Sequence, residues 1–260
     1  MQIRVMVIGD VVGRPGRDAL KTALPGYRKS ENINFVVANG ENAAAGSGIT
    51  PDLLRDFLES GVDVVTTGDH VYRRKEIMEV IHKEPRLLRP ANYPPAAAGR
   101  GAGIFKVDGT LSIGVINLQG RVFMDPIECP FTAVDDCLSK MAGTRVIIVD
   151  MHAEATSEKI AIGWYLDGRV SLVFGTHTHV ATADERILPG GTANITDVGM
   201  TGPHESVLGR RVDRVLKAFT THMPSPFDVA EKDVRISGAV ATIDVDTGRA
   251  VDIKRVQISV

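Results

Sequence analysis

The first third of the chain repeats one pattern: a short, unbroken apolar run rich in β-formers, a polar loop, then a stretch with helical spacing. Ile3 to Ile8 reads as a buried strand, followed by a helical pattern from about Gly16 to Lys29. Asn34 to Ala38 reads as a second strand. Thr50-Pro51 then opens a helix, with a capping hydroxyl followed by proline in the first turn. Val62 to Thr66 is the third strand, with a helix expected near Arg74 to His82. Runs that are apolar throughout belong to a sheet covered on both faces, and the strand–helix rhythm implies parallel order. The expected class is α/β, and 260 residues suit one domain spanning 1–260.

The middle is less regular. Residues 85–103 are rich in Pro, Gly and Ala and read as an ordered excursion, not a linker. Strands are expected near Ile104 to Val107 and Leu111 to Asn117, and a helix near Ala133 to Ala142. The rhythm resumes with a strand at Arg145 to Val149, a helix at Glu154 to Leu166 and a strand at Val170 to Phe174. After a helix near Val212 to His222 come alternating runs at Val234 to Asp244 and Ala250 to Val260. Asp246-Thr247-Gly248 between them is a hairpin signal.

Composition excludes several functions. With 30 basic and 32 acidic residues the formal charge is −2, which argues against gripping nucleic acid through bulk charge. Cys129 and Cys137 are too few for a disulfide framework or a thiolate zinc site and read as reduced structural thiols. The opening MQIRVMVIGD lacks the long apolar core and cleavage site of a signal peptide, and no window approaches a membrane span of roughly 20 apolar residues. A cytoplasmic protein is expected.

The unusual residues stand at the carboxyl ends of the expected strands. After the first comes Gly9-Asp10, after the second Gly40-Glu41-Asn42, and after the third Gly68-Asp69-His70. After Arg145 to Val149 comes Asp150-Met151-His152, and after Val170 to Phe174 comes Gly175-Thr176-His177-Thr178-His179. Open α/β sheets place their functional crevice beyond the carboxyl ends of the strands, so these residues converge on one edge. Taken singly, Asp10 could be a helix cap, Glu41-Asn42 a turn and His152 a core histidine. His177 and His179 are harder to dismiss, because residues two apart at a strand end can reach one centre. Carboxylates and imidazoles without thiolate suit Mn, Fe or Zn. The supply of ligands exceeds what one tetrahedral ion needs, and two ions sharing a carboxylate account for it better.

The stretches GDVVGRPGR (9–17), NGENAA (39–44), NLQGR (117–121), HAEATSEK (152–159), GTHTHV (175–180) and ITDVGMTGP (195–203) resemble the calcineurin-like metallophosphoesterase superfamily, most closely its bacterial YmdB-like branch. The resemblance implies a four-layer α/β/β/α sandwich, two central sheets flanked by helices. It further implies a dinuclear centre of two divalent ions, Fe or Mn before Zn, that hydrolyses phosphodiesters with cyclic nucleotides as the substrate class. Carried over by position, it gives Asp10, Glu41, Asn42 and His179 to one ion and Asp69, His152 and His177 to the other, with Glu41 bridging. The implied nucleophile is a hydroxide bridging the ions, and His70 is the implied catalytic histidine, assisting the leaving group without binding metal. The resemblance is compatible with a homo-oligomer. One departure stands out: the superfamily usually reads Gly-Asn-His where this chain has Gly68-Asp69-His70. The extra charge should hold an ion more tightly and make an anionic substrate less welcome. Val12 stands where most related branches carry a histidine, a loss shared by the closer branch, and Asn42 can compensate.

Other residues are read more plainly. Arg14, Arg17 and Arg121 are candidate phosphate contacts, although arginines near helix starts are usually solvated. Thr176 and Thr178 flank the ligands as donors able to orient them. Lys159 lies on an expected helix with no chemistry assigned to it, and His82, His204 and His222 fall outside the pattern. A nucleotide-binding Rossmann enzyme is a rival reading, but GDVVGRPG spaces its glycines as G-x-x-x-G-x-x-G, and Asp10 would face a pyrophosphate. The remaining alternatives are a metal-binding regulatory or scaffold protein with weak or lost hydrolysis, and a phosphomonoesterase.

Overall fold

The computed structural model describes residues 1–107 and 111–260. Strands β1 (Gln2–Ile8) and β2 (Asp10–Val11) lead into helix α1 (Gly13–Ser30), and β3 (Phe35–Asn39) leads into α2 (Pro51–Glu59). Next come β4 (Val64–Thr66), β5 (Leu87–Leu88), β6 (Ala102–Lys106), β7 (Ser112–Gln119) and α3 (Pro130–Lys140). They are followed by β8 (Val146–His152), α4 (Thr156–Tyr165), β9 (Leu172–Thr176), β10 (Arg186–Ile187), β11 (Ala193–Ile195) and β12 (Met200–Pro203). The chain closes with α5 (Val212–Thr221), β13 (Val234–Asp244) and β14 (Ala250–Ser259).

Among the described residues the strands form two sheets. One has eight strands in the order β2-β12-β13-β1-β3-β4-β5, with β14 on β13; the other has six in the order β10-β11-β9-β8-β7-β6. The strands β1, β3, β4 and β5 run parallel, as do β7, β8, β9 and β11, as the strand–helix rhythm implies. The sheets stack face to face, and each outer face carries helices. Side-chain alternation shows why. In β1, Ile3, Val5 and Val7 enter the layer between the sheets with Val115, Ile148, Leu172 and Phe174, while Met6 and Ile8 meet Leu20, Leu24 and Phe57 of α1 and α2. On the far side, Val149, Met151 and Val173 pack against Val134 and Ile162 of α3 and α4. This is the expected four-layer sandwich of the metallophosphoesterase type. No helix among the described residues is long and apolar enough to cross a membrane.

Local chemistry sets several boundaries. Thr50 caps α2 by accepting the Leu53 N–H, with Pro51 in the first turn. Asp244 Oδ1 accepts the Asp246 and Thr247 amides, and Gly248 takes a left-handed φ of 73°, which closes the expected hairpin. The helix expected at Arg74 to His82 is instead a short 3₁₀ segment, Lys75–Glu79. There Ile77 and Ile81 are buried while Met78 is exposed, so burial supports a single turn. Strands β5, β10, β11 and β12, each two to four residues long, were not legible as strands.

Two glycines let strand ends approach other backbone. A Cβ on Gly9 would lie 1.8 Å from the Gly199 carbonyl oxygen, and one on Gly175 would lie 1.8 Å from that of Thr196. Gly175→Ala is therefore expected to destabilise the fold by about 3 kcal/mol or more. That corresponds to a melting temperature lower by about 6 °C or more. Gly26→Ala, with nothing within 4 Å of its Cβ, is expected to be neutral or slightly stabilising. Thermal unfolding followed by circular dichroism checks both.

Candidate metal centre

The inter-sheet face changes character at the carboxyl ends of its strands. The alternation that carries Phe35 and Val37, Val64, Ile113 and Val115, Ile148, and Leu172 and Phe174 inward continues to Asn39, Thr66, Asn117, Asp150 with His152, and Thr176. All six polar residues are fully buried. The segments that follow bring in Asp10, Glu41, Asn42, Asp69, His70, His177 and His179, so the expected metal ligands and the expected catalytic histidine arrive in one cluster.

Two sets of ligand atoms can be separated. Glu41, Asp69, His152 and His177 offer one set and Asp10, Glu41 and His179 the other, each with its atoms within 4.8 Å of one another. Glu41 is common to both. His152 Nε2 lies 2.9 Å from Glu41 Oε2, 3.1 Å from Asp69 Oδ1 and 3.1 Å from His177 Nδ1. His179 Nε2 lies 4.0 Å from Asp10 Oδ1. Asn42 Nδ2 lies 2.9 Å from Glu41 Oε1 and 3.1 Å from His179 Nε2, so turning this amide about would direct its oxygen at the second set.

Each imidazole is held from behind by an acceptor. Thr176 donates to Asp150 Oδ1 at 2.7 Å and so receives the His152 Nδ1–H at 2.8 Å. His177 Nε2 lies 3.1 Å from Glu154 Oε2, and His179 Nδ1 lies 3.1 Å from the Leu208 carbonyl oxygen. With one nitrogen engaged as donor, the other of each ring presents its lone pair to the cluster, the tautomer a metal requires. Asp10 Oδ1 is buried without a hydrogen-bond partner, and the buried Glu41 Oε2 is paired with His152 Nε2. Carboxylate oxygens and imidazole nitrogens packed this close are the signature of a cation site, and these oxygen and imidazole donors fit divalent first-row metals.

The profile of the YmdB-like protein family matches residues 6–256. The chain belongs to the YmdB-like family. It is 48% identical over 258 residues to the 2',3'-cyclic-nucleotide 2'-phosphodiesterase of Bacillus subtilis, covering 99% of this chain and 97% of that protein. A crystal structure of a hypothetical protein from Thermus thermophilus superposes with a TM-score of 0.93 at 41% identity, covering 99% of both chains. A structure described as a novel phosphatase, from Mycoplasma pneumoniae, also superposes at 0.93, with 32% identity over 100% of this chain and 94% of that one. The family is one of phosphoester hydrolases.

The electrostatics of this YmdB-like cluster are those of a site built for cations. Burial pushes the Glu41 carboxyl up, but His152 and His70 outweigh it and hold Glu41 well below its ordinary value. Burial pushes the His152 imidazole down, but Glu41 and Asp69 outweigh it and raise it well above 6.5. Burial raises Asp10, offset only in part by His179 and His152, and lifts Asp150 to about 6.

Other expectations resolve differently. Arg14 pairs with Asp18 on the surface, Arg17 donates to the Ala43 carbonyl and Arg121 donates to Cys129 Sγ, so these side chains are engaged away from the ligand atoms. His82 is exposed, His204 faces the Gly202 carbonyl, and His222 is the left-handed cap of α5. The sequence assigned no supporting role to Asn39, Thr66, Asn117, Asp150 and Glu154. Asn39 accepts the Glu41 amide at 3.0 Å, Asn117 accepts the Gly68 amide at 3.3 Å, and Thr66 donates to Asp150 at 2.5 Å. The signal that finds all but Glu154 is the period-2 alternation, followed one step past the last apolar residue.

Counted as metal per chain by plasma mass spectrometry after dialysis, Glu41→Gln, which touches both ligand sets, is expected to lose more metal than Asp10→Asn, which touches one. Because imidazole ligands bind a metal only in their neutral form, apparent Mn²⁺ affinity should fall as pH drops from about 8 to about 6. Calorimetry in buffers of different ionisation enthalpy should report proton release.

Proposed function

We propose that the chain is a dinuclear-metal phosphodiesterase acting on a cyclic nucleotide, the substrate class named for its Bacillus subtilis relative. The observation that carries this reading is Glu41, the buried carboxylate common to both ligand sets. Asp10, Glu41, Asn42 and His179 would hold one ion, and Glu41, Asp69, His152 and His177 the other. Two divalent ions there would neutralise the anionic diester, align it and acidify the attacking water.

His70 is left for proton transfer. It belongs to neither ligand set, and its side chain is 24% exposed at the rim of the cluster. Its Nδ1 lies 3.2 Å from Glu41 Oε1, which fixes the ring. As the P–O bond breaks, the imidazolium gives its proton to the leaving ribose oxygen, and water in the site restores that proton afterwards. In a 2',3'-cyclic diester the leaving oxygen stays attached to the ribose, so the product is a nucleoside monophosphate.

Asp69 places a second full charge 3.1 Å from His152 Nε2, where the superfamily usually has a neutral amide. Monoester hydrolysis is the second reading, favoured by the phosphatase description of the Mycoplasma pneumoniae relative. An additional carboxylate opposes a dianionic monoester more than a monoanionic diester, which favours the diester.

His70→Ala is expected to keep both ions and lose about 10²–10⁴ in kcat on a 2',3'-cyclic nucleotide. Loss of metal instead would make His70 a ligand. A parallel assay of the cyclic nucleotide and its monoester product should favour the cyclic diester, and Asp69→Asn should narrow that preference.

A further inference from the structure

We propose that Lys159 and Asp197 form a buried clamp that fixes the relative position of the two ligand sets, acting through Thr178, the residue between His177 and His179. This inference rests on the dinuclear reading above. Lys159 Nζ lies 2.6 Å from Asp197 Oδ2, and both side chains are about 1% exposed. The same Asp197 oxygen accepts the Thr178 hydroxyl at 2.7 Å and the Thr178 amide at 3.4 Å, while Oδ1 accepts the Gly199 amide at 2.7 Å. The lysine reaches this carboxylate from α4 by passing Gly175, where a Cβ would come within 2.8 Å of Lys159 Cδ. Glycine at 175 thus opens the path for the lysine as well as the approach to Thr196.

The loop needs such a hold. His177 and His179 have φ values of 97° and 65°, in the left-handed region that strains a non-glycine residue. Their side chains go to different ligand sets, His177 to that of Asp69 and His152, His179 to that of Asp10. Thr178 is therefore where a small backbone shift would change both sets and the distance between them. Its two bonds to Asp197 resist that shift, and the His177 amide, donated to Asp10 Oδ2 at 3.0 Å, ties the loop to the other sheet. A buried ion pair gives little stability over an apolar pair of similar size. What it supplies here is a compensated carboxylate, a stronger acceptor than a neutral group, aimed at Thr178. Lys159 and Asp197 are positioning residues and touch no ligand atom.

The test uses the full chain loaded with Mn²⁺ and four variants. Thr178→Val removes the hydroxyl at constant shape, Thr178→Ser keeps it, and Lys159→Met removes the charge. Ile162→Val loosens the packing of the same helix without touching the clamp. Mn²⁺ affinity is read by calorimetry, and the exchange coupling of the Mn²⁺ pair by electron paramagnetic resonance. Hydrogen exchange of the His177 and Thr178 amides is read in the metal-free protein. Thr178→Val and Lys159→Met are expected to bind Mn²⁺ about 10-fold or more weakly, to alter the coupling and to exchange those amides faster. Thr178→Ser and Ile162→Val should keep the native coupling. Native coupling and affinity in Thr178→Val and Lys159→Met would overturn the clamp alone, as would an Ile162→Val spectrum that changes like that of Lys159→Met. A native chain that takes up no coupled pair would overturn the dinuclear reading and the clamp with it.

Discussion

A buried carboxylate between two sets of inward-facing lone pairs is the constraint on which this site depends. Glu41 is fully buried, and Asp10, Asp69, His152, His177 and His179 surround it. Leaving such groups unpaired in a protein interior is costly. Divalent cations at this point would turn mutual repulsion into coordination. The surrounding structure supplies the orientation: Thr176 with Asp150, Glu154 and the Leu208 carbonyl each engage the far nitrogen of one histidine.

The two-sheet architecture makes that concentration of charge possible. Each sheet delivers parallel strands whose carboxyl ends reach the same edge, and the layer between them is apolar until its last one or two inward positions. Close backbone approach at Gly9 and Gly175 packs the ends of β1 and β9 against the segment that follows β11. Asp10, Glu41, Asn42 and Asp69 come from one sheet, and His152, His177 and His179 from the other. The candidate centre is thus a seam, and rigid docking of the sheets through Val5, Val7, Ile148 and Phe174 sets its geometry.

Much of this was legible in the sequence. Unbroken apolar runs gave the strands of both sheet interiors, and the polar residues after them gave the site, because strand direction alone decides where those residues go. Short pairings were hidden: β11 and β12 have three and four residues, too few for a period to show. Asn39, Thr66, Asn117 and Asp150 were obscured differently, since their polar side chains lie inside the strands and read as strand termini. Glu154 and the Lys159–Asp197 pair depend on where α4 lies against β9, a tertiary fact with no local signature. The helix expected near Arg74 failed because its residues have too little to bury.

The measurement that bears most directly on this account is anomalous diffraction from crystals of the native chain soaked in Mn²⁺. Two peaks about 3.5–4 Å apart on either side of the Glu41 carboxylate are expected. One ligated by Asp10 and His179, the other by Asp69, His152 and His177, would match the proposed assignment. A single peak, or peaks that leave Glu41 uncoordinated, would contradict it.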